Sequence, residues 1–597
     1  MREAETGWSN RVRGVVAQHW IALTLLAWAI VAGWFLLQRW PQIQWLALGD
    51  TDDNMRLMQV RAWLGGQDWY DLRQYRLNPP AGFDIHWSRV VDLPIAALIL
   101  LFRLFTSPQM AEKLACGVAP LIPLGLTMLG LGATVRRLVA PVAWPLAIAL
   151  LLSTSATILM FMPERIDHHG WQLAMLSLTV AGLCDPRATR GGATVGLASA
   201  LSLAIGLEML PYAAMAGAII ALRWVWDREE SRRLAVYGTT LGGATAASFA
   251  AFASNANYAL RCDALTPVWL SVVALTGALL LLLALISPWT RGARLALGAV
   301  AGIAIVAAYV LFFPQCLGRL EGVSPELQRT WLDNVREAKP IYKHPFRTAF
   351  PIATLPVVGL VGAGVAVWRA RGDAALLRGW ATVALFATFA TLMLLWQARA
   401  GPAAQLLAVP SATALAWVLI PLVINHRAMP VRVFGTVGTG LIVSGLFAGL
   451  VIRWLPIDRP NAYVQRVNRA NARCASIPSL SALDRYPAQT VFTFTDLGPR
   501  LITLTHHSAI AGPYHRNGAA ILDVQHAFSR SPDEARRIMK RHGATLLLLC
   551  PNMAESTIYR ARNPGGFYDR MAHGQVPGWL TPLPLPANSP LRLFRID

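Results

Sequence analysis

The chain has 597 residues, of which 55% are hydrophobic and only 14% charged. That balance excludes a soluble globular protein of this length and implies many stretches near the ~20 apolar residues that span a bilayer. The net charge of +21 does not signal nucleic acid: the arginines fall in short loops between apolar runs, where they set orientation and meet lipid headgroups.

The first apolar run, Trp20 to Leu37, is Trp-rich and lacks a small-residue cleavage site after it, so it reads as a retained helix. Twelve further spans are expected at about 114–135, 141–161, 171–184, 193–207, 209–225, 235–254, 266–287, 295–313, 350–368, 380–396, 403–424 and 433–452. Arg11/Arg13, Arg136/Arg137, Arg187/Arg190, Arg228/Arg232/Arg233, Arg291/Arg294, Arg369/Arg371/Arg378 and Arg427/Arg432 then face the cytoplasm. The segment 92–105 is apolar but short and carries Arg103. A span there would turn most later arginine loops outward, so it is expected to lie in the outer interface; an ordinary short span is the alternative. This threading puts residues 38–113, 162–170, 255–265, 314–349, 397–402 and everything after 453 outside.

Cys262 and Cys316 fall in two external loops, and Cys474 and Cys550 in the external tail, so both pairs are disulfide candidates in an oxidising compartment. Four free thiols are the alternative. The tail, 455–597, regains turn residues. Its segments QTVFTF, RLITLT, AAILDV and ATLLLLC read as strands, and SPDEARRIMKRHG as a helix with a Ser cap and a Gly stop. The expected class is a polytopic α-helical membrane protein of about thirteen spans (1–454) with a small external α/β domain (455–597).

The unusual acidic residues share one face of this threading. Asp50, Asp52 and Asp53 follow the first span in LGDTDDNMRL. Carboxylates clustered at a membrane edge are costly unless hydrated or neutralised, and they are hard ligands of the kind Mg²⁺ or Mn²⁺ takes. A solvated, helix-capping loop is the plainer reading. The second external loop, PERIDHHGWQ, supplies Asp167, His168 and His169, and the long loop supplies Glu337 in NVREAKPIY. Glu208 falls at the outer edge between two spans, and the tail adds His506, His507 and His515; each suits a structural role as well as a functional one.

In order and spacing these motifs resemble the GT-C membrane glycosyltransferases, especially catalytic subunits of oligosaccharyltransferases. Asp50-Thr51-Asp52-Asp53-Asn54-Met55-Arg56 matches that family's first-loop Asp-x-x-x-(Asn/His)-x-Arg pattern. Asp167-His168-His169 matches the archaeal Asp-His-His, and Asn334-Val335-Arg336-Glu337 stands where Ser-Val-x-Glu occurs. Arg399 stands for a lipid-phosphate arginine. The Trp-Trp-Asp-Tyr-Gly run that reads a protein acceptor is absent, which leaves glycan, lipid or protein as acceptor. The resemblance implies an inverting, metal-dependent transferase of a bacterial inner membrane, with its N-terminus cytoplasmic and its tail periplasmic. It would use a polyprenyl-linked sugar donor. Asp50, Asp167 and His169 would hold Mg²⁺ or Mn²⁺, and Asp50, Asp52, Asp53 and Glu337 would be catalytic. Arg56, His168, Lys343 and Arg399 would bind substrate. A flippase for lipid-linked sugars, or a non-catalytic subunit of a polysaccharide assembly system, is the alternative. A transporter needs charge along the mid-bilayer path, whereas these acids gather at one face.

Overall fold

The computed structural model describes residues 11–455 and 457–597; the first ten residues, expected on the cytoplasmic side, lie outside the described residues. Helices occupy all thirteen expected positions. Eight are long and apolar enough to cross a bilayer: Trp20–Gln38 (α1), Pro108–Leu138, Leu207–Trp226, Pro267–Ile286, Arg291–Phe312, Phe346–Gly372, Ala374–Met393 and Ala398–Ile424. The pair Val431–Val443 and Leu446–Trp454, bent by 96°, makes a ninth if counted as one span.

Four expected spans fall short of that standard, for two reasons. Trp144–Ser153 and His169–Leu183 have only 10 and 15 residues. Ala188–Ile205 and Ser231–Phe252 are long enough but rich in Gly, Ala, Ser and Thr. These small residues let backbones approach: a Cβ on Gly192 would lie 2.7 Å from Arg233 O, and one on Gly238 would lie 2.7 Å from Gly277 O. Such close packing is how helices associate where lipid removes the hydrophobic drive. The outer helices show the opposite pattern. Val300, Ile303, Val306 and Leu311 on Arg291–Phe312 are 62–74% exposed, a surface suited to acyl chains and unsuited to water.

Loop contacts sort the two ends. At one end Arg137 and Arg190, from separate arginine loops, share Asp185 (2.9 and 2.6 Å), and Arg378 reaches Asp227 (2.5 Å). At the other end lie the acidic segments. There, Thr51–Leu64 (α2) follows the first span. The segment around 92–105 forms Asp92–Arg103 (α3), whose 12 residues extend only about 18 Å. Ile95, Ala96 and Ile99 of α3 are buried while Leu100, Leu101, Leu104 and Phe105 are exposed. This is the two-faced pattern of a helix lying along a surface.

The tail folds around a five-stranded sheet of order β2-β1-β3-β5-β4, with β1 Thr490–Phe492, β2 Ser508–Ala509, β3 Leu546–Leu549, β4 Leu580–Leu583 and β5 Arg592–Ile596. β1 runs parallel to β2 and β3; β5 is antiparallel to β3 and β4. Two expected strands are helices instead: RLITLT lies in Gly498–Leu504, and AAILDV lies in Gly518–Ser529. The cause is topological, because parallel neighbours need a crossover and a helix is the usual one. The expected helix is present as Pro532–Arg541, with Ser531 Oγ accepting from Glu534 N and Gly543 at φ +63 beyond its end. Two disulfides, Cys262–Cys316 and Cys474–Cys550, join the cysteines outside the spans, while Cys116 and Cys184 are free and buried.

With no free exposed cysteine among the native six, topology is open to direct test. Tyr342 and Trp289 are 67% and 82% exposed at opposite ends. Tyr342→Cys should react with an impermeant maleimide in intact cells, and Trp289→Cys only after permeabilisation. The reverse pattern would invert the orientation.

Candidate functional site

Two aspartates stand just ahead of helices, and that fixes their positions. Asp50 is the N-cap of α2: its Oδ1 accepts from Asp52 N (3.3 Å) and Thr51 Oγ1 (3.2 Å). Capping with acids in the first turn is favourable because unpaired N–H groups and the helix dipole both attract negative charge. Asp167 makes a local turn instead: its Oδ1 accepts from His169 N (3.1 Å), just ahead of His169–Leu183 (α4), whose N-cap is His168. Asp53 then links the two loops, its Oδ1 accepting from Asp167 N at 3.0 Å. Asp50 is thus both a helix cap and a member of the acidic cluster.

With each Oδ1 tied to a main-chain N–H, the three Oδ2 atoms converge on a residue that sequence reasoning passed over. Arg165 Nη1 lies 2.6 Å from Asp50 Oδ2 and 3.2 Å from Asp53 Oδ2, and Arg165 Nη2 lies 2.7 Å from Asp167 Oδ2. The Asp53 and Asp167 side chains are almost fully buried, whereas Asp50 is 40% exposed. Burial opposes charge on Asp50, but Arg165 outweighs it and holds this carboxyl below its ordinary range; on Asp167, His169 and Arg165 together do the same. Asp52 and Asp53 go the other way. Burial raises both, and the neighbouring Asp50 and Asp167 add to the effect. The cluster thus sets Asp50 and Asp167, whose carboxyls ionise readily, beside Asp52 and Asp53, whose proton affinity is raised, a rise that Arg165 opposes at Asp53.

Of the expected metal trio, Asp50 and Asp167 point at the same place. Asp53, rather than His169, supplies the third convergent oxygen; His169 Nε2 is 4.0 Å from Asp167 Oδ2, at the edge of the cluster. Among the described residues no group of three His, Cys, Asp or Glu side chains is spaced as metal ligands, since a guanidinium stands between the oxygens. The donor chemistry nevertheless fits a hard cation: three oxygens are pre-aimed by backbone amides, and Asp167 Oδ2 is buried with no hydrogen bond beyond its charge contact with Arg165.

The other expected residues separate into near and remote. Glu337, exposed in the turn Arg336–Ala338, comes close enough to Asp52 to raise its proton affinity further. Its loop is stitched to the turn carrying Arg399 by Ala398 N→Lys339 O (2.7 Å) and Ile341 N→Leu394 O (2.9 Å). Arg399 is half-buried, with Nε lacking a partner among the described residues, and Lys343 is exposed. His168 is buried beside Trp87 and His169, and its Nε2 meets Glu208 Oε1 at 3.2 Å. Gln172 Nε2 donates to the other Glu208 oxygen (2.9 Å), so Glu208 positions His168. Arg56 is a buried residue of α2. It is 1% exposed, stacked 4.4 Å over Trp87 and paired with Asp92 at 2.8 Å, so its charge is neutralised inside the loop.

The tail braces this site. Tyr514 Oη donates to Thr51 O (2.9 Å) and its ring stacks on Phe83. Arg500 Nη1 donates to Leu46 O and Asn54 Oδ1, both at 3.0 Å. Asp263, next to the Cys262–Cys316 bridge, accepts from Arg516 Nε (2.7 Å) and Nη2 (2.8 Å) and meets His515 Nε2 at 2.6 Å. His506 and His507 bond backbone carbonyls of the tail and do not join His515. The tail also adds Asp496, in the turn Thr495–Leu497; its proton affinity is raised by surrounding protein, by Glu555 and by Asp50. Its only sequence signal is an aspartate ahead of Gly-Pro at a strand-to-helix turn.

A polytopic helical membrane domain whose external loops meet a C-terminal soluble domain over paired acidic motifs is a fold of the GT-C oligosaccharyltransferase type. Similar solved structures include those of the archaeal oligosaccharyltransferase AglB from Archaeoglobus fulgidus. In complex with an inhibitory peptide and a dolichol-phosphate it matches with a TM-score of 0.67 and 15% identity, covering 95% of this chain and 73% of that one. Tethered to an acceptor peptide containing the NVT sequon it gives 0.65 and 15%, covering 97% and 76%. With Zn and sulfate it gives 0.56 and 14%, covering 91% and 71%. No family model and no curated protein matches the sequence. At this identity the likeness establishes the fold.

Glu164, ahead of Arg165, is 4% exposed and has φ +73. Burial pushes its carboxyl from 4.5 up to about 8. Between those values the folded chain binds a proton that the unfolded chain has released, so stability falls as pH rises through that window. Glu164→Gln should match the parent at pH 4.5 and melt a few degrees higher at pH 8, as read by thermal unfolding of the purified protein. A constant difference across that range would show that Glu164 does not titrate there.

Proposed function

We propose that the protein is an inverting glycosyltransferase that moves a sugar or oligosaccharide from a polyprenyl phosphate or pyrophosphate to an acceptor at the periplasmic face of a bacterial inner membrane. The observation that carries this reading is the convergence of Asp50, Asp53 and Asp167 from two external loops on one point, within a fold of the oligosaccharyltransferase type. The archaeal structure with dolichol-phosphate supports a lipid-linked donor, and the one with Zn and sulfate supports a divalent cation.

In this reading a bound Mg²⁺ or Mn²⁺, held by Asp50, Asp53 and Asp167 with His169 at the edge, supplies Lewis-acid stabilisation of charge on the leaving phosphate. Arg399, with its unpartnered Nε, and the exposed Lys343 bind phosphate oxygens through charge-assisted hydrogen bonds. Asp52 receives the acceptor's proton: burial first, and then the neighbouring Asp50, Asp167 and Glu337, raise its affinity for one. Asp53 is less suited to that step, because its oxygens are taken up by Asp167 N and Arg165. Glu337 and Asp496 flank the acceptor's approach, and the loop 314–349 limits water access. Glycan, lipid and protein acceptors all fit this description.

Asp50→Asn and Asp167→Asn test the reading, because an amide oxygen can still accept the same main-chain N–H bonds while the charge is lost. Each should lower transfer from the native lipid-linked donor by about a hundredfold or more, with gel-filtration profile and helix content unchanged. A deletion strain should accumulate a polyprenyl-linked sugar, seen by lipid mass spectrometry. Full activity in both variants would remove the cluster from the reaction.

A further inference from the structure

We propose that Arg165 is the resident counter-cation of the acidic cluster, holding its three carboxylates in register and yielding that seat when a divalent cation binds. This rests on the reading of the cluster as a cation site. The geometry is specific. All three Oδ1 atoms are engaged by backbone amides, from Asp52, Asp167 and His169. All three Oδ2 atoms face the one guanidinium, at 2.6, 3.2 and 2.7 Å. The fold thus builds a single seat for positive charge, and it is Arg165 that fills it.

Without that charge, three carboxylates, two of them almost fully buried, would face one another unscreened, which costs far more than a surface repulsion. With it, the site keeps its shape before any ion arrives. A tight turn delivers the side chain: Arg165 N donates to Met162 O at 3.0 Å, and Glu164 N donates to Cys116 O at 2.9 Å. The Arg165 side chain is itself 19% exposed, so it has a route out toward solvent. A guanidinium and a metal ion cannot both sit within bonding distance of the same three oxygens, and the two therefore compete.

The competition can be read without donor or acceptor. Chelator-treated wild type, Arg165→Met and Arg165→Lys would be titrated with MnCl₂ by calorimetry, and melted in EDTA and in Mn²⁺. Arg165→Met should bind Mn²⁺ at least about tenfold more tightly than wild type. It should melt lower than wild type in EDTA and recover in Mn²⁺. Arg165→Lys, which keeps one compact charge, should fall between and serves as the folded comparison if the Met variant is lost in EDTA. Equal Mn²⁺ affinity in all three would overturn the role of Arg165 while leaving the cation site intact. Absence of Mn²⁺ binding from all three would overturn the cation site as well.

Discussion

The site depends on one constraint: carboxylates from two loops must point at one place. Side-chain packing alone would not achieve this, since like charges at close range repel. The chain uses main-chain N–H groups instead. Asp50 and Asp167 are held by amides at the start of the helices that follow them, and Asp53 is held by the amide of Asp167, 114 residues away. That last bond makes the two loops one object. It explains why loop 162–168 is short and largely buried, and why α2 starts so soon after the first span: either loop moved by a residue would lose the alignment.

Around this joint the protein places charge with care. Arg56 and Arg89 share Asp92 beneath α2, which balances a buried carboxylate without adding positive charge to the acidic cluster. Buried pairs of this kind contribute little net stability but are costly to break, so they fix geometry. Glu208 acts similarly on His168. A Cβ on Gly206 would strike Glu208 Oε2, so the absence of a side chain there is what lets the glutamate fold back to reach its histidine.

Much of this was legible in the sequence, and the parts that were not share a cause. Acids beside an apolar span are conspicuous because they are expensive there, so Asp50, Asp53 and Asp167 stood out. Arginines in loops carry no such signal: they are expected for orientation, so nothing in the sequence marks Arg165 as the partner of these acids. The membrane helices were legible from hydropathy, except where Ala188–Ile205 and Ser231–Phe252 trade apolar bulk for close contact. In the tail, RLITLT alternates as a strand would. Only the parallel pairing of β1 with β2, a long-range fact, requires a helix there.

The tail's contacts have a consequence in time. Arg500 and Tyr514 touch α2 across 446 and 463 residues of chain, and Asp263, beside a disulfide, clamps the tail from a third loop. Because chains emerge from the N-terminus onward, the acidic helix is made early and braced last. A nascent or truncated chain carries the carboxylates but not the wall that encloses them. Completion of the acidic cluster's surroundings is thereby tied to folding of the final domain.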